Sequence, residues 1–541
     1  MKRRLCLIWL AALGALAGAA GNAALAQPAV DQYGLAAADG AVERWGAIEF
    51  TFAGPTAGNP FVDVTLSGVF RQGGRDIVAA GFYDGDGQYK IRFMPDAVGA
   101  WTYETRSSAP ALNGQRGAFT AVQPAPGNHG PVSVRNTFHF GYGDGTPYWQ
   151  VGTTSYAWTH QSDALQEQTL KTLSTAPFNK IRMAIFPNND DQVAGQRFPF
   201  AGTPPHGWDL SRFDPVFFRN LERRVAQLRA LGIEADLILF HPYDKGRWGF
   251  DRMPAAVDDR YLRYVVARLS AYRNVWWSMA NEYDLMTEKK PDDWDRYFRI
   301  VQASDPYNHL RSIHNAFRFY DHNKPWVTHV SIQHGAATED PERAILFRDV
   351  YNKPVVFDEV KYEGNWTKRW GQLTPQEMVL RFWNGAVAGS YVGHSEIYRD
   401  DAGSGAGKGE IWLGKGGTLR GHSAARLAFF RKILAESPAE GLEPIDKWQE
   451  YPFAGKHGEY YLGYFNRQQP ASWPFALFKT GLKDGMRFKV EVIDTWNMTI
   501  TPIDGVFEIK KQDDYMYAEK SGRSVPLPGR PYMAVRIVRV P

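Results

Sequence analysis

The chain has 541 residues, 44% apolar and 22% charged, enough to bury a large core and to form about three domains or one barrel with smaller companions. Its formal charge of +4 is small for this length and argues against a nucleic-acid or anionic-membrane partner. Aromatic residues make up 14% of the chain and include 18 Trp, a supply that serves core packing and also provides flat apolar platforms for stacking.

Lys2, Arg3 and Arg4 precede an apolar run over residues 5–20, and Ala24-Leu25-Ala26 offers a small-x-small cleavage pattern. This predicts a secretory signal peptide over residues 1–26, and therefore export to a periplasm or to the medium. Losing those three cations with the signal takes the formal charge from +4 to +1. Cys6 is the one cysteine and lies within the signal, so the expected mature chain has neither disulfides nor thiol chemistry. No second long apolar stretch follows, and no membrane association is expected after cleavage.

Residues 40–125 alternate aromatic and β-branched positions in short runs (47–52, 61–66, 89–94, 101–105) separated by turns such as 84–87. The pattern predicts an antiparallel β-sandwich, ended by the Pro/Gly-rich linker 124–131. From 138 to 430 short apolar strands alternate with amphipathic helices. Strands are expected at 148–152, 178–185, 233–240, 275–280, 311–314, 327–332, 354–357 and 390–393. Between the second and third, Phe217, Leu221, Val225, Leu228 and Leu231 fall on one helical face, with Gly232 beyond its end. Eight strand–helix repeats predict an α/β fold of the (β/α)8, or TIM, barrel type; a doubly wound sheet would be expected to carry a Gly-rich phosphate loop, and none follows these strands. Residues 440–541 read as a second β-sandwich.

In such a barrel the reactive residues gather at the C-terminal strand ends. Those ends supply Arg182 and Asn188, His241 and Tyr243, Asn281 and Glu282, Gln333 and His334, Asp358 and Glu359, and His394 and Glu396. Two glutamates, Glu282 and Glu359, stand just past apolar strands on opposite sides of the mouth. Glycoside hydrolysis needs this pairing, with one carboxyl protonated to release the leaving oxygen and the other ionised to attack the anomeric carbon. Arg182 and His334 are expected to favour ionised Glu359, and burial beside Trp276 or Trp277 to keep Glu282 neutral. Asp358 is the alternative acid at the seventh strand, and Glu396 a third carboxylate in reach of substrate. His241, His334 and His394 are further candidate contacts. Trp158, Trp248, Trp366 and Trp412 are candidate sugar platforms, and the Gly-rich loop 400–417 is placed to close the cleft.

Other chemistries fit less well. His160, His241, His314, His334 and His394 fall near strand ends, but no H-x-H or H-E-x-x-H spacing occurs, so no metal site is expected. There is no G-x-S-x-G elbow for a serine nucleophile, and no cofactor is expected.

The run Val275-Trp-Trp-Ser-Met-Ala-Asn-Glu282 resembles the fourth-strand motif of clan A glycoside hydrolases. Pro354-Val-Val-Phe-Asp-Glu359 resembles that clan's nucleophile strand, and Phe178-Asn-Lys-Ile-Arg182 its second-strand Asn-x-x-Arg. The whole chain resembles apiosidase-like barrel proteins of bacterial polysaccharide-degrading systems. The resemblance implies that Glu282 is acid/base, Glu359 the nucleophile, Asn281 a ligand of the sugar 2-hydroxyl and Arg182 an orienting group. It departs from the clan pattern at Gln333-His334, where many members carry Tyr, and at His394 and Glu396, where many carry Trp. The implied activity is retaining hydrolysis of a plant or microbial polysaccharide or oligosaccharide. The rival class is a non-catalytic glycan-binding protein on a degenerate barrel.

Overall fold

The computed structural model describes residues 28–38, 40–188, 195–203, 207–399, 412–446 and 449–541. The expected signal peptide and most of the 400–417 loop lie outside the described residues.

The central domain is a parallel barrel. Its strands are β1 (Gly152–Thr154), β2 (Lys180–Ala184), β3 (Glu234–Phe240), β4 (Val275–Ala280), β5 (Arg311–Ser312), β6 (Val330–Gln333), β7 (Val355–Glu359) and β8 (Tyr391–His394). They neighbour one another in the order 5-4-3-2-1-8-7-6, so β1 pairs with β8 and the ring is continuous except at the seam between β5 and β6. The Thr328 N–H donates to Arg311 O (3.0 Å) and the Arg311 N–H to Thr328 Oγ1 (2.7 Å), which closes that seam. The (β/α)8 expectation therefore holds.

The strand sequences explain the arrangement. All seven residues of β3 are buried, as expected where helices cover a parallel sheet on one side and a packed barrel fills the other. β2 is also wholly buried although it carries Lys180 and Arg182. Those cations are tolerated because Asp236 and Asp358 face them inside the barrel (see below). Among the described residues, seven longer helices pack outside: α1 (Asp163–Leu173), α2 (Pro215–Ala230), α3 (Ala255–Leu269), α4 (Pro291–Ser304), α5 (Pro341–Tyr351), α6 (Pro375–Val387) and α7 (Ser423–Ala435). In α2, Asp214 accepts the Val216 N–H, Pro215 fits the first turn, and Phe217, Leu221, Val225 and Leu228 are buried. Burying each such side chain is worth about 1.5–3 kcal/mol. Segment 313–329, between β5 and β6, contains no helix.

The N-terminal β domain is one hydrogen-bonded, eight-stranded sheet running from Leu35–Ala37 to Ala41–Glu43. It curls until its two halves face each other: Phe50 and Phe119, from strands far apart in the sheet order, have ring centroids 5.7 Å apart around a core holding Phe70, Phe93 and Trp101. The C-terminal domain repeats the principle around Phe453, Trp473, Phe475, Phe488 and Phe507. A hairpin, Val132–Arg135 with His139–Tyr142, covers the N-terminal end of the barrel, where Phe140 packs on Trp276 at 5.2 Å. Among the described residues, no helix is long and apolar enough to cross a membrane.

Candidate active site

A layer of paired charges underlies the mouth. Lys180 Nζ lies 3.0 Å from Asp236 and 2.9 Å from Asp358, and Arg182 Nε lies 3.6 and 3.8 Å from the same two carboxylates. Ser331 Oγ donates to Asp358 at 2.6 Å. All four charged side chains are buried. Asp358 is held well below the usual carboxylate range: burial opposes its charge, but Lys180 and Arg182 outweigh that. Asp358 is thus fully engaged by Lys180, Arg182 and Ser331, whereas Glu359 faces the mouth residues described next.

Glu359 ends β7 and is buried. Tyr156, in the loop after β1, donates its hydroxyl hydrogen to Oε1. Asn281 Nδ2 donates to the same oxygen at 3.2 Å, and Arg182 Nη1 and His314 Nε2 stand 3.7 and 3.6 Å away. Burial alone would raise this carboxyl. The charges of His314 and Arg182 and the hydroxyls of Tyr156 and Tyr362 outweigh burial and hold it below its ordinary value. Burial pushes His314 itself down to about 4, so Arg182 is the cation that acts at neutral pH. Lys361 takes a left-handed backbone (φ 72°), which reverses the chain after β7 and returns Tyr362 to Glu359.

Glu282 follows β4 and is only partly buried. Its backbone is left-handed (φ 45°, ψ 51°), a conformation that costs a non-glycine residue about 1–2 kcal/mol. Bonds on either side offset that cost: the Asn281 N–H donates to Phe240 O and the Tyr283 N–H to His314 O, each at 3.0 Å. Tyr243 donates to Glu282 Oε2 at 2.9 Å. In the amide orientation that satisfies its neighbours, Gln333 Nε2 donates to Glu282 Oε1 (3.0 Å) and to Asn315 O (3.1 Å). Burial, and next the negative charge of Glu359, raise the Glu282 carboxyl to about 7.

Asn281 joins the two halves. Its Oδ1 accepts from Arg182 Nη2 at 2.8 Å, and its Nδ2 reaches Tyr243, Tyr156 and Glu359. The site thus gathers Glu282, Glu359, Asn281 and Arg182 from β2, β4 and β7. The sequence assigns no role beside a carboxyl to Tyr156, Tyr362 or His314, because they carry no spacing pattern. Tyr243 stands beside His241 in the third strand end, where nothing in the sequence marks it as the partner of Glu282.

Several of the other expected contacts are held by partners within the protein. His241 is buried, with Nε2 against Phe186 O (2.9 Å) and Nδ1 accepting the Tyr243 N–H (3.1 Å), so it positions Tyr243. His334 caps the short helix Gly335–Thr338, its Nδ1 accepting the Ala337 N–H, and His314 is the histidine beside Glu359. His394 is fully buried, stacked on Phe178 at 4.7 Å, with Nδ1 on Thr153 Oγ1. Glu396 is buried and accepts from the backbone N–H groups of Arg420 and Gly421, ahead of α7. Trp158 and Trp412 are core residues, the latter donating to Thr153 Oγ1 at 2.8 Å. Trp248 is nearly buried and donates to Asn188 O. Trp366 remains half-buried at the rim, edge-on to the exposed Trp370 at 4.2 Å. Trp276 and Trp277 lie low in the barrel, bonded to Glu234 and Asp305, so Tyr243 and Gln333 are the contacts that enclose Glu282. Glu363, His394 and Glu396 present ligand-type atoms within 4.8 Å of one another, but Glu363 already accepts from His422 N, Ser423 N and Oγ, and Tyr398.

Two carboxylates with opposite protonation preferences thus stand at the ends of β4 and β7 of a (β/α)8 barrel. Residues 135–398 match the family model "Apiosidase-like, catalytic domain", and residues 41–108 and 448–538 match two domains of unknown function, DUF5060 and DUF5605. A solved structure from Bacteroides vulgatus ATCC 8482 that carries a glycoside hydrolase assignment is 43% identical, over 92% of this chain and 100% of its own, with a TM-score of 0.87. A glycoside hydrolase family 5 structure from the same organism is 14% identical, over 77% of this chain and 94% of its own, with a TM-score of 0.57, a likeness of fold alone. No curated protein matches the chain. The chain belongs to the apiosidase-like family of glycoside hydrolases, and its substrate is a carbohydrate.

Proposed function

We propose that the protein is a retaining glycosidase that works by double displacement on a plant or microbial polysaccharide or oligosaccharide. The observation that carries this reading is the split between the two carboxyls: Glu359 is held ionised by Arg182 and two tyrosines, and Glu282 is raised to about 7. Glu359 attacks the anomeric carbon as Glu282 gives its proton to the leaving oxygen. Glu282, now ionised, takes a proton from water, which attacks the same carbon and frees Glu359. Asn281, bonded to Arg182 and aimed at Glu359, is placed to hold the hydroxyl next to the anomeric carbon. The charged-then-apolar segment 1–26 supports export of the enzyme.

The test is the anomeric configuration of the first-formed product, followed by proton NMR. Retention is expected, and inversion would replace Glu359 as nucleophile with Glu359 as base. Glu359→Gly in azide should give a glycosyl azide of inverted configuration, and Glu282→Ala one of retained configuration. A wild-type protein that binds glycans and cleaves none would favour the binding-protein reading.

A further inference from the structure

We infer that Phe317, with Phe319 beside it, forms the platform for the leaving-group sugar, so that this enzyme cuts within or at the end of an oligosaccharide and reads the residue beyond the scissile bond. The inference rests on the hydrolase reading and deepens it.

The two carboxyls divide the mouth. On the side of β1, β2 and β7, Glu359 is met by Tyr156, Arg182 and Tyr362. The sugar that becomes attached to Glu359 therefore lies on that side. The leaving oxygen must meet the proton of Glu282, whose own neighbours, Tyr243 and Gln333, follow β3 and end β6. The leaving sugar thus extends over the ends of β4, β5 and β6, where the helix-free segment 313–329 runs.

That segment carries Phe317, which is 81% exposed, and Phe319, which is 43% exposed. The backbone that carries the open Phe317 ring is held fast. Asp284, two residues past Glu282, accepts three successive N–H groups, from Ala316 (2.6 Å), Phe317 (2.8 Å) and Arg318 (2.8 Å). Phe319 lies parallel to His334 (10° between planes, centroids 6.5 Å apart) and edge-on to Phe347. The carboxylate clamp fixes the rings to the same chain turn that carries the acid. Asn315 O, two residues before Phe317, accepts from the same Gln333 amide that meets Glu282, so the exposed ring is carried on chain tied to that carboxyl, and an apolar ring there suits the C–H face of a sugar.

The experiment compares two substrates of the same glycosyl unit: the cell-wall oligosaccharide that the wild-type enzyme cleaves best from a panel, and the fluoride of the sugar it releases. Fluoride as leaving group is one atom and cannot reach Phe317. Phe317→Ala should lower kcat/KM on the oligosaccharide by about tenfold, the size of one lost stacking contact, and leave fluoride hydrolysis unchanged. Phe317→Trp should restore most of the loss. Equal losses on both substrates, or no loss on the oligosaccharide, would overturn the platform while leaving the hydrolase reading intact. Wild-type inertness toward the whole panel would overturn both.

Discussion

Tyr243 and Tyr156 each give a hydroxyl hydrogen to a different carboxyl of the pair, which makes them separable probes of the two protonation states. The proposed mechanism needs Glu282 protonated, so activity is expected to fall as pH rises through its value of about 7. It also needs Glu359 ionised, so activity falls as pH drops through a value below the ordinary carboxyl. The profile of kcat/KM should be a bell whose limbs belong to the coupled pair. Tyr243→Phe removes a donor that favours ionised Glu282, so its carboxyl rises and the alkaline limb should move up by about one pH unit, the equivalent of one such bond. Tyr156→Phe removes a donor from Glu359 and should move the acid limb up instead. A shift of the same limb by both variants would show that the tyrosines do not serve separate carboxyls. Loss of the acid itself, in Glu282→Ala, should lower kcat by about 10²–10⁴-fold on unactivated substrates.

At the scale of elements, the barrel strands are legible because a strand buried on both faces must be a nearly unbroken apolar run, as in β3, and polar residues at its end then stand out. Glu282 and Glu359 are found this way. Tyr156, Tyr362 and His314 are not legible in this way, because their places depend on loop reversals such as the left-handed backbone of Lys361. Polar strand ends also mislead. Glu396 follows β8 as Glu359 ends β7, yet it pairs in register with Glu363; Glu363 accepts the N–H groups of His422 and Ser423 at the start of α7, and Glu396 those of Arg420 and Gly421 just ahead of it. These acids anchor a helix, which satisfies donors that would otherwise be buried without partners. Glu363→Ala should therefore destabilise the fold by about 1–3 kcal/mol, the cost of orphaned buried donors, with KM unchanged. Chemical denaturation together with steady-state kinetics checks this, and a selective rise in KM would return this cluster to the substrate site.

At the scale of the molecule, the N-terminal domain is fastened to the barrel by buried charges. Arg92, from that domain, meets Glu222 of α2 (2.8 Å) and gives a hydrogen bond to Arg268 O (2.7 Å); Arg268 in turn pairs with Asp84 at 2.8 Å. Burial penalises each charge, and each is compensated by a partner across the interface. Removing one member strands the others: Glu222→Ala leaves Arg92 and Arg268 facing each other and should cost about 3–5 kcal/mol. A double change of Glu222 and Arg92 to apolar residues should recover part of that loss, measured by denaturant unfolding.

The same accounting predicts how the whole protein responds to acid. Burial lowers His160 and His314 from 6.5 to about 4, and His322, His329 and His394 to about 3. Below pH 6.5 the unfolded chain binds protons at these groups and the folded chain does not, so each removes about 1.4 kcal/mol of stability per pH unit as pH falls. Buried acids act in the opposite sense. Burial raises Glu234 to about 8 and Glu282 and Glu396 to about 7, from 4.5, and it raises Asp258 as well. The contribution of the three glutamates is fully present below 4.5 and is lost as pH rises through the folded values. Between about pH 5 and 6 the acids therefore offset most of the loss at the histidines. Below 4.5 the glutamates no longer differ between folded and unfolded chains, and the histidines act unopposed until they too titrate. They are joined there by Asp358, Glu222 and Asp305, whose carboxyls are depressed and whose stabilisation disappears as pH falls through their folded values. Thermal melts followed by tryptophan fluorescence should therefore show a shallow decline in Tm from about pH 6 to 5 and a steep fall below 4.5. His322→Phe removes one opposing group, so Tm in that variant should fall less than in the wild type as pH drops from about 6 to 5. A wild-type Tm that drops as steeply between those values as below 4.5 would mean that the buried carboxyls do not hold their protons in the folded state.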